Sequence, residues 1–355
     1  LIQTGNIGIG TFINKADKAR YISEETFNRL KCCEVKPGDI LISRLPDPIG
    51  RACVIPDSTG KMITAVDCSI VRLKNILFSD FFIAYTQSDQ YLNQIIKYTT
   101  GTTRKRISRK NLGKITVPVP SLVQQKTIAK MFVVVNSLIQ IEKALLAKLG
   151  LLVKSQFIEM FGNPVITEIF PRYKIGEVGN ILTGNTPSMA NDTYYDTPDI
   201  PFIKPGDISE NGITNINNTE NFVSSNARNV ARIFPDGSVL VTCIGTIGKI
   251  GISSAESCCN QQINVVIPFS IVHRIYLAYC LLFFKPVLQD IANAPVVPIL
   301  NKSQFSNIEI PIPPINEQYK FATFVEQIDK SKFTIEQSLK KLETLKRSLM
   351  NKYFG

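Results

Sequence analysis

At 355 residues the chain has room for two or three domains, each with a core of its own. Hydrophobic residues make up 44% and charged residues 19% of it, values that exclude a disordered chain. The longest apolar run, residues 275–284, is too short to span a bilayer. The net charge of +11 is unevenly placed: residues 1–162 hold 23 Lys and Arg against 12 Asp and Glu, whereas residues 163–355 hold 17 of each. The basic excess that could meet a polyanion therefore lies in the first half.

In chain order, residues 1–10 (LIQTGNIGIG) are apolar and glycine-rich, and they resemble residues 202–212 (FIKPGDISENG). The turn-and-strand pattern VKPGDILI at 35–42 returns as FPDGSVLV at 234–241, each followed by a glycine loop and a further strand, at 48–52 and 246–250. Short strands around 63–73 and 262–268 also correspond, and helical patterns follow at 80–96 and 275–292. Each body is expected to be α+β, with a twisted, mostly antiparallel or mixed sheet.

Both bodies lead into the same ending. Residues 115–162 and 308–355 align at one offset without a gap, Pro118 with Pro311, Pro120 with Pro313, Gln125 with Gln318 and Phe161-Gly162 with Phe354-Gly355. Alternate prolines in a Val/Ile run suit an edge strand leaving a domain. A long helix free of internal proline then carries an apolar seam on three- and four-residue steps. The seam is Ile128, Phe132, Val135, Ile139, Leu146, Leu149 and Val153 in the first copy, and Phe321, Val325, Ile328, Ile335, Leu339, Leu342 and Leu349 in the second. About 30 residues at about 1.5 Å each give a rod of roughly 45 Å that cannot bury its stripe alone, so the two are expected to pair as an antiparallel coiled coil. Glu142, Lys332 and Lys346 interrupt the seam, and Gly150 weakens the first helix.

The predicted organisation is a first domain at 1–117, a helix at 118–162, a second domain at 163–310 and a second helix at 311–355, the domains related by a pseudo-two-fold. Residues 162–173 read as a linker. The stretch 175–195, with its polar loop, has no counterpart ahead of Leu1, so the chain is expected to begin inside its first domain.

Few residues could carry chemistry. Eight cysteines show no CxxC spacing, and with the single His273 they give no zinc pattern. They are expected to be reduced core residues, which with no visible signal peptide points to the cytoplasm. His273 sits on an apolar segment and reads as structural. The glycines of CIGTIGKIG at 243–251 lie between strands, which suits a hairpin turn better than a dinucleotide fingerprint.

A nucleic-acid surface has better support. Residues 99–110 (TTGTTRKRISRK) place Arg104, Lys105, Arg106, Arg109 and Lys110 among five hydroxyls, a donor set suited to phosphates and guanine edges; the alternative is a solvated loop. Arg44 and Arg51 join them in the first half. Thr183, Thr186, Lys204, Lys249, Gln261, Gln262 and Lys302 are the polar candidates in the second. Two related heads on paired rods could read two half-sites at a fixed gap, since about one turn of duplex, ~34 Å, separates half-sites in ordinary dimers.

The order of domain, PxP strand, QQ or EQ helix start, long helix and Phe-Gly close resembles the specificity (S) subunit of type I restriction-modification systems. The stretches that carry the likeness are PVPSLVQQKTIA, PIPPINEQYKFA, TGNTPS, GTIGKIG, CNQQINVV and Gly101 with Ile107-Ser108, and they cover nearly the whole chain. The resemblance implies two target-recognition domains, with two antiparallel helices acting as a ruler between half-sites. It also implies a non-catalytic chain that binds DNA and two modification subunits. Those partners would carry S-adenosylmethionine and methylate adenine, and restriction subunits can join them. Residues 163–307 hold 9 Lys and Arg against 11 Asp and Glu, an unusual balance for a DNA reader. The competing readings are a coiled-coil scaffold whose ends bind proteins, and a chain that is itself a nuclease or methyltransferase.

Overall fold

A computed structural model describes residues 1–57, 60–293 and 296–355. Two 40-residue helices dominate it, Leu122–Phe161 and Ile315–Phe354. At about 1.5 Å per residue each is roughly 60 Å long, longer than the seam alone predicts. The first starts one residue after Ser121, which exchanges a reciprocal cap with Gln124: Ser121 N donates to Gln124 Oε1 (3.1 Å) and Gln124 N to Ser121 Oγ (3.4 Å). It runs through Gly150 and stops at Gly162, whose φ of +72° places it in the left-handed region and whose N–H donates to Ile158 O. None of the helices among the described residues is long and apolar enough to cross a membrane.

The chain forms two compact units, 1–143 with 336–355 and 144–335. Each holds one body, part of the first helix and part of the second, so the units cut across the helices rather than setting them apart from the bodies.

In the first unit, strands Ala52–Val54, Ile40–Ser43 and Cys68–Val71 form an antiparallel sheet in that order. Helices Ser79–Tyr85 and Asp89–Tyr98 cover it, so the helical pattern at 80–96 is two helices. The long helices meet antiparallel here. The Phe132 and Phe354 rings stack at 5.7 Å, and eleven residues further along the first helix and back along the second, Lys143 pairs with Glu343 at 3.2 Å. Phe354 is buried and also packs on Phe81 and Tyr85, so the closing Phe-Gly of the second helix plugs the first body.

In the second unit a five-stranded mixed sheet runs Ile213–Ile216, Ile250–Ser253, Val239–Thr242, Ile263–Pro268, Gly179–Thr183, with only the first pair parallel. A four-stranded sheet sits beside it: Phe222–Val223, Ile200–Ile203, Ser257–Cys259, Ile233–Phe234. Phe161 is buried against Tyr276 and Phe321, the counterpart of Phe354 in the first unit.

All the seam residues are buried or half-buried. The three charged interruptions each find a partner: Glu142 accepts from Ser338 Oγ (2.9 Å), Lys332 pairs with Asp329 (2.9 Å) and Lys346 Nζ donates to Gln87 Oε1 (3.1 Å).

The repeat extends to single hydrogen bonds. Gln125, with no exposed surface, accepts from Phe78 N (2.7 Å) and donates to Ile76 O (2.9 Å) and Pro120 O (2.8 Å). Gln318, equally buried, accepts from His273 N (2.7 Å) and donates to Ile271 O (3.1 Å) and Pro313 O (2.8 Å). In both units the glutamine ties the start of a long helix to the N-cap of a body helix, Ser79–Tyr85 in the first and Arg274–Phe283 in the second. His273 is that cap, its Nδ1 accepting from Ile275 N, which gives it a structural role. Gly50 and Gly248, at φ +87° and +81°, repeat the glycine turn.

Candidate nucleic-acid interface

In the first unit the basic segment is a small β-hairpin. Strand Thr99–Thr100 pairs with Arg106–Ile107, and the turn between them starts at Gly101, φ +100°, where a Cβ would lie 2.6 Å from Arg104 O. Ile107 is fully buried and its N–H donates to Arg44 O (3.2 Å), which anchors the hairpin to the end of the central strand. Ser108 caps the short helix Arg109–Leu112 through Asn111 N (3.1 Å). Arg104, Lys105, Arg106, Arg109 and Lys110 are all exposed on this local frame. Two of the hydroxyls are taken up by backbone carbonyls, Thr99 Oγ1 donating to Ile95 O (2.7 Å) and the exposed Thr100 Oγ1 to Arg106 O (3.5 Å).

Arg44 and Arg51, expected at the same surface, lie inside it. Arg44 is 6% exposed, behind the hairpin, with its guanidinium on Val66 O. Burial lowers its pKa from the ordinary arginine value, and the neighbouring Arg106 adds to the shift. Arg51 spends its guanidinium on backbone carbonyls: Nε donates to Ile7 O (2.6 Å), Nη1 to Leu45 O (3.1 Å) and Pro48 O (2.9 Å), and Nη2 to Thr4 O (2.8 Å). Lys249 does the same work in the second unit. Its Nζ donates to Pro205 O (3.2 Å) and pairs with Glu210 (3.4 Å). Thr4 and Pro205 each begin a short 3-10 turn in the two corresponding glycine-rich segments. Arg51 and Lys249 are therefore clamps within the fold. Their charge suggested a polyanion surface, but carbonyl crowding takes it up.

In the second unit the structure gathers Thr183, Thr186, Gln261 and Gln262. Thr183 Oγ1 donates to Asn264 Oδ1 (2.6 Å) and Thr186 Oγ1 to Gln261 Oε1 (2.9 Å). Gln262 is held by Asn260, whose Nδ2 donates to Gln262 Oε1 (2.9 Å). The loop 183–188 reaches this turn through Gly184, where a Cβ would lie 2.3 Å from Cys259 O and Asn260 O, so only glycine allows the approach. Lys204 stands apart, half-buried, its Nζ donating to Asn221 Oδ1 (2.8 Å) and lying 5.6 Å from the Phe202 ring. Lys302 is exposed at the start of helix Lys302–Ser306.

Two functional candidates emerge from the fold alone. Arg232, exposed, donates from Nη1 to Thr183 O (2.7 Å), and its own N–H donates to Asn185 Oδ1 (2.8 Å), which puts a cation on the polar loop. Asp67 gathers the hairpin arginines, with Arg106 Nη2 at 2.9 Å and Arg104 Nη2 at 3.9 Å. The two residues are distant in sequence from the loops they serve, and no local pattern marks them. Cys53, Cys68, Cys243, Cys258, Cys259 and Cys280 are buried as expected, and burial pushes the Cys53 and Cys258 thiols up to about 12, but Cys32 is only half-buried and Cys33 is exposed, so that pair does not belong to the core.

The sequence profile of the type I restriction modification DNA specificity domain matches residues 3–151 and 170–347. The type I restriction enzyme MjaIX specificity subunit of Methanocaldococcus jannaschii is 32% identical over 181 residues, 49% of this chain and 40% of that one. The HindI specificity subunit of Haemophilus influenzae is 34% identical over 39% of this chain and 31% of its own length. The putative MjaX specificity subunit of M. jannaschii is 22% identical over 88% of this chain and 77% of its own. The chain thus spans less than half of the first two relatives. Among solved structures, a chain of a type I R-M system described for its complex assembly and conformational transition superposes with a TM-score of 0.58 at 17% identity, covering 99% of this chain and 90% of that one. The type I restriction-modification S subunit from M. genitalium gives 0.56 at 15% identity, covering 90% and 83%. The profile match extends across both bodies and most of both long helices, and with the repeated bonds that build them it leads to one conclusion: this chain belongs to the type I restriction-modification DNA specificity family.

Proposed function

We propose that the chain is a DNA-reading subunit that recognises a two-part target, one part per body, and performs no chemistry itself. The observation that carries this is the repetition: two bodies built by the same bonds, each presenting a different polar loop. The first offers the exposed cations of 99–110. The second offers Thr183, Thr186, Gln261, Gln262, Lys302 and Arg232, a set suited more to base edges than to phosphates.

The partners in this reading are adenine-methylating modification subunits that carry S-adenosylmethionine, joined by restriction subunits where cleavage occurs, and the compartment is the cytoplasm. An exposed apolar row on the first helix within the first unit, Val133, Val134, Leu138 and Ile141, supports a protein partner there. The same row would serve a scaffold whose ends bind proteins, and that reading predicts no sequence-selective DNA binding.

The test is binding of the assembled complex to duplexes carrying both half-sites at correct and altered spacing. Affinity should fall sharply when one base pair is added or removed between them. Indifference to spacing would refute the two-part reading, and S-adenosylmethionine binding by the chain alone would refute its non-catalytic role.

A further inference from the structure

The hairpin of the first unit carries an acid among its arginines. Asp67 Oδ1 lies 2.9 Å from Arg106 Nη2 and 3.9 Å from Arg44 Nη2, while Oδ2 lies 3.9 Å from Arg104 Nη2. Three guanidinium groups thus converge on one carboxylate. They differ in freedom: the Arg104 and Arg106 side chains are 76% and 44% exposed, whereas that of Arg44 is 7% exposed. Arg44 donates from Nη2 to Val66 O, which fixes this cation behind the carboxylate. The Asp67 backbone is fixed too, its carbonyl accepting from Arg44 N (2.9 Å).

The second unit supplies an internal control. There the same backbone bond runs from Cys243 N to Gln262 O (2.7 Å), and the next equivalent bond, Leu300 N to Cys243 O (2.9 Å), matches Ile107 N to Arg44 O (3.2 Å). At the positions of Arg44 and Asp67, then, this fold accepts cysteine and glutamine. The architecture needs neither charge. The acid stands in the unit that carries the arginine hairpin and is missing from the one that does not.

We propose that Asp67 is a specificity-determining positioning residue: it holds Arg104 and Arg106 in place and withholds them from indiscriminate phosphate contact. This rests on the reading of the hairpin as a DNA contact. A part-exposed ion pair is weak enough for a well-placed DNA acceptor to replace it. A poorly placed phosphate must compete with the carboxylate, and Arg44 holds that carboxylate on the spot. Asp67 thereby lowers affinity for random sequence more than for the target.

The experiment uses the full chain and, as probe, a random-sequence 30-base-pair duplex, with binding followed by anisotropy across a potassium chloride series. Asp67→Asn should bind this duplex several-fold more tightly at low salt. Its log–log salt slope should steepen by about 0.9 for each arginine released to a phosphate. Asp67→Glu should restore the original slope. Arg106→Ala alone should leave the slope on this duplex within error, because Asp67 withholds that arginine there, whereas adding Arg106→Ala to Asp67→Asn should remove about 0.9 of the steepening, a pattern that a purely structural acid would not give. Asp67→Gln, carrying the residue found at position 262, is the second variant should Asp67→Asn fold poorly. A folded Asp67→Asn or Asp67→Gln protein with an unchanged or flatter slope overturns the proposal alone. A slope that stays steepened when Arg104→Ala and Arg106→Ala are both added to Asp67→Asn overturns the hairpin as a DNA contact, and the proposal with it.

Discussion

Replacing Gln125 by methionine keeps the length and approximate volume of the side chain and removes its amide. Three groups then lose a partner: Phe78 N–H, Ile76 C=O and Pro120 C=O, now held at 2.7, 2.9 and 2.8 Å. A buried polar group left unsatisfied costs about 1–3 kcal/mol, and carbonyls, with a second lone pair, fall toward the lower end. The expected loss is about 3–5 kcal/mol, a large fraction of the roughly 5–15 kcal/mol that holds a domain folded. Urea unfolding is the assay. With a slope of about 3 kcal/mol/M, the midpoint of the first unit should fall by about 1–1.7 M. Gln140→Met, at an exposed position of the same helix, should leave it within error. Gln318→Met should repeat the loss in the second unit. If Gln125→Met behaves like Gln140→Met, the joint between helix and body does not depend on this amide, and the energetic reasoning fails.

Other outcomes follow from the same structure. Phe354→Ala, which empties a site ringed by Phe81, Tyr85 and Phe132, should cost about 3–5 kcal/mol in thermal or chemical unfolding. Gly150→Ala should stabilise by about 1 kcal/mol, because a Cβ there meets nothing within 4 Å and glycine is the weaker helix former. Arg51→Met should lower stability without changing the salt slope of DNA binding, since its guanidinium is committed to carbonyls; a flatter slope would return it to the interface. Asp39 gives a pH dependence. Burial raises its pKa, but Arg72, at 2.9 and 3.0 Å, and the Lys36 N–H more than offset this and leave it below the ordinary value. Its contribution is present above the ordinary carboxylate range and is lost as pH falls through that range to the depressed native value. Asp39→Asn should flatten the acid limb of a stability-versus-pH curve.

The seam, the duplication and the glycine turns were legible because each is a matter of spacing, and spacing survives without coordinates. The seam alone gave a rod of about 30 residues, shorter than the 40-residue helix: Ser121 and Gln124 start the helix directly after the proline run, which forms no strand in the first unit, and Gly150 does not interrupt it. Charge was the poorest guide. Arg51 and Arg104 look alike in a sequence, but one sits among four backbone carbonyls and the other stands in solvent. Asp67 and Arg232 were invisible for a related reason, since their meaning comes from loops that folding brings to them. Thr183, Thr186, Gln261 and Gln262 were singled out separately, and Gly184 is what lets their loops meet.

One consequence of the glutamine joints concerns inheritance. Every atom that Gln125 and Gln318 grip belongs to the main chain. A mount that reads only peptide groups is blind to the lettering of what it carries. Either body could be rewritten residue by residue, or exchanged for a cousin, and still be seated on its shaft by the same bonds.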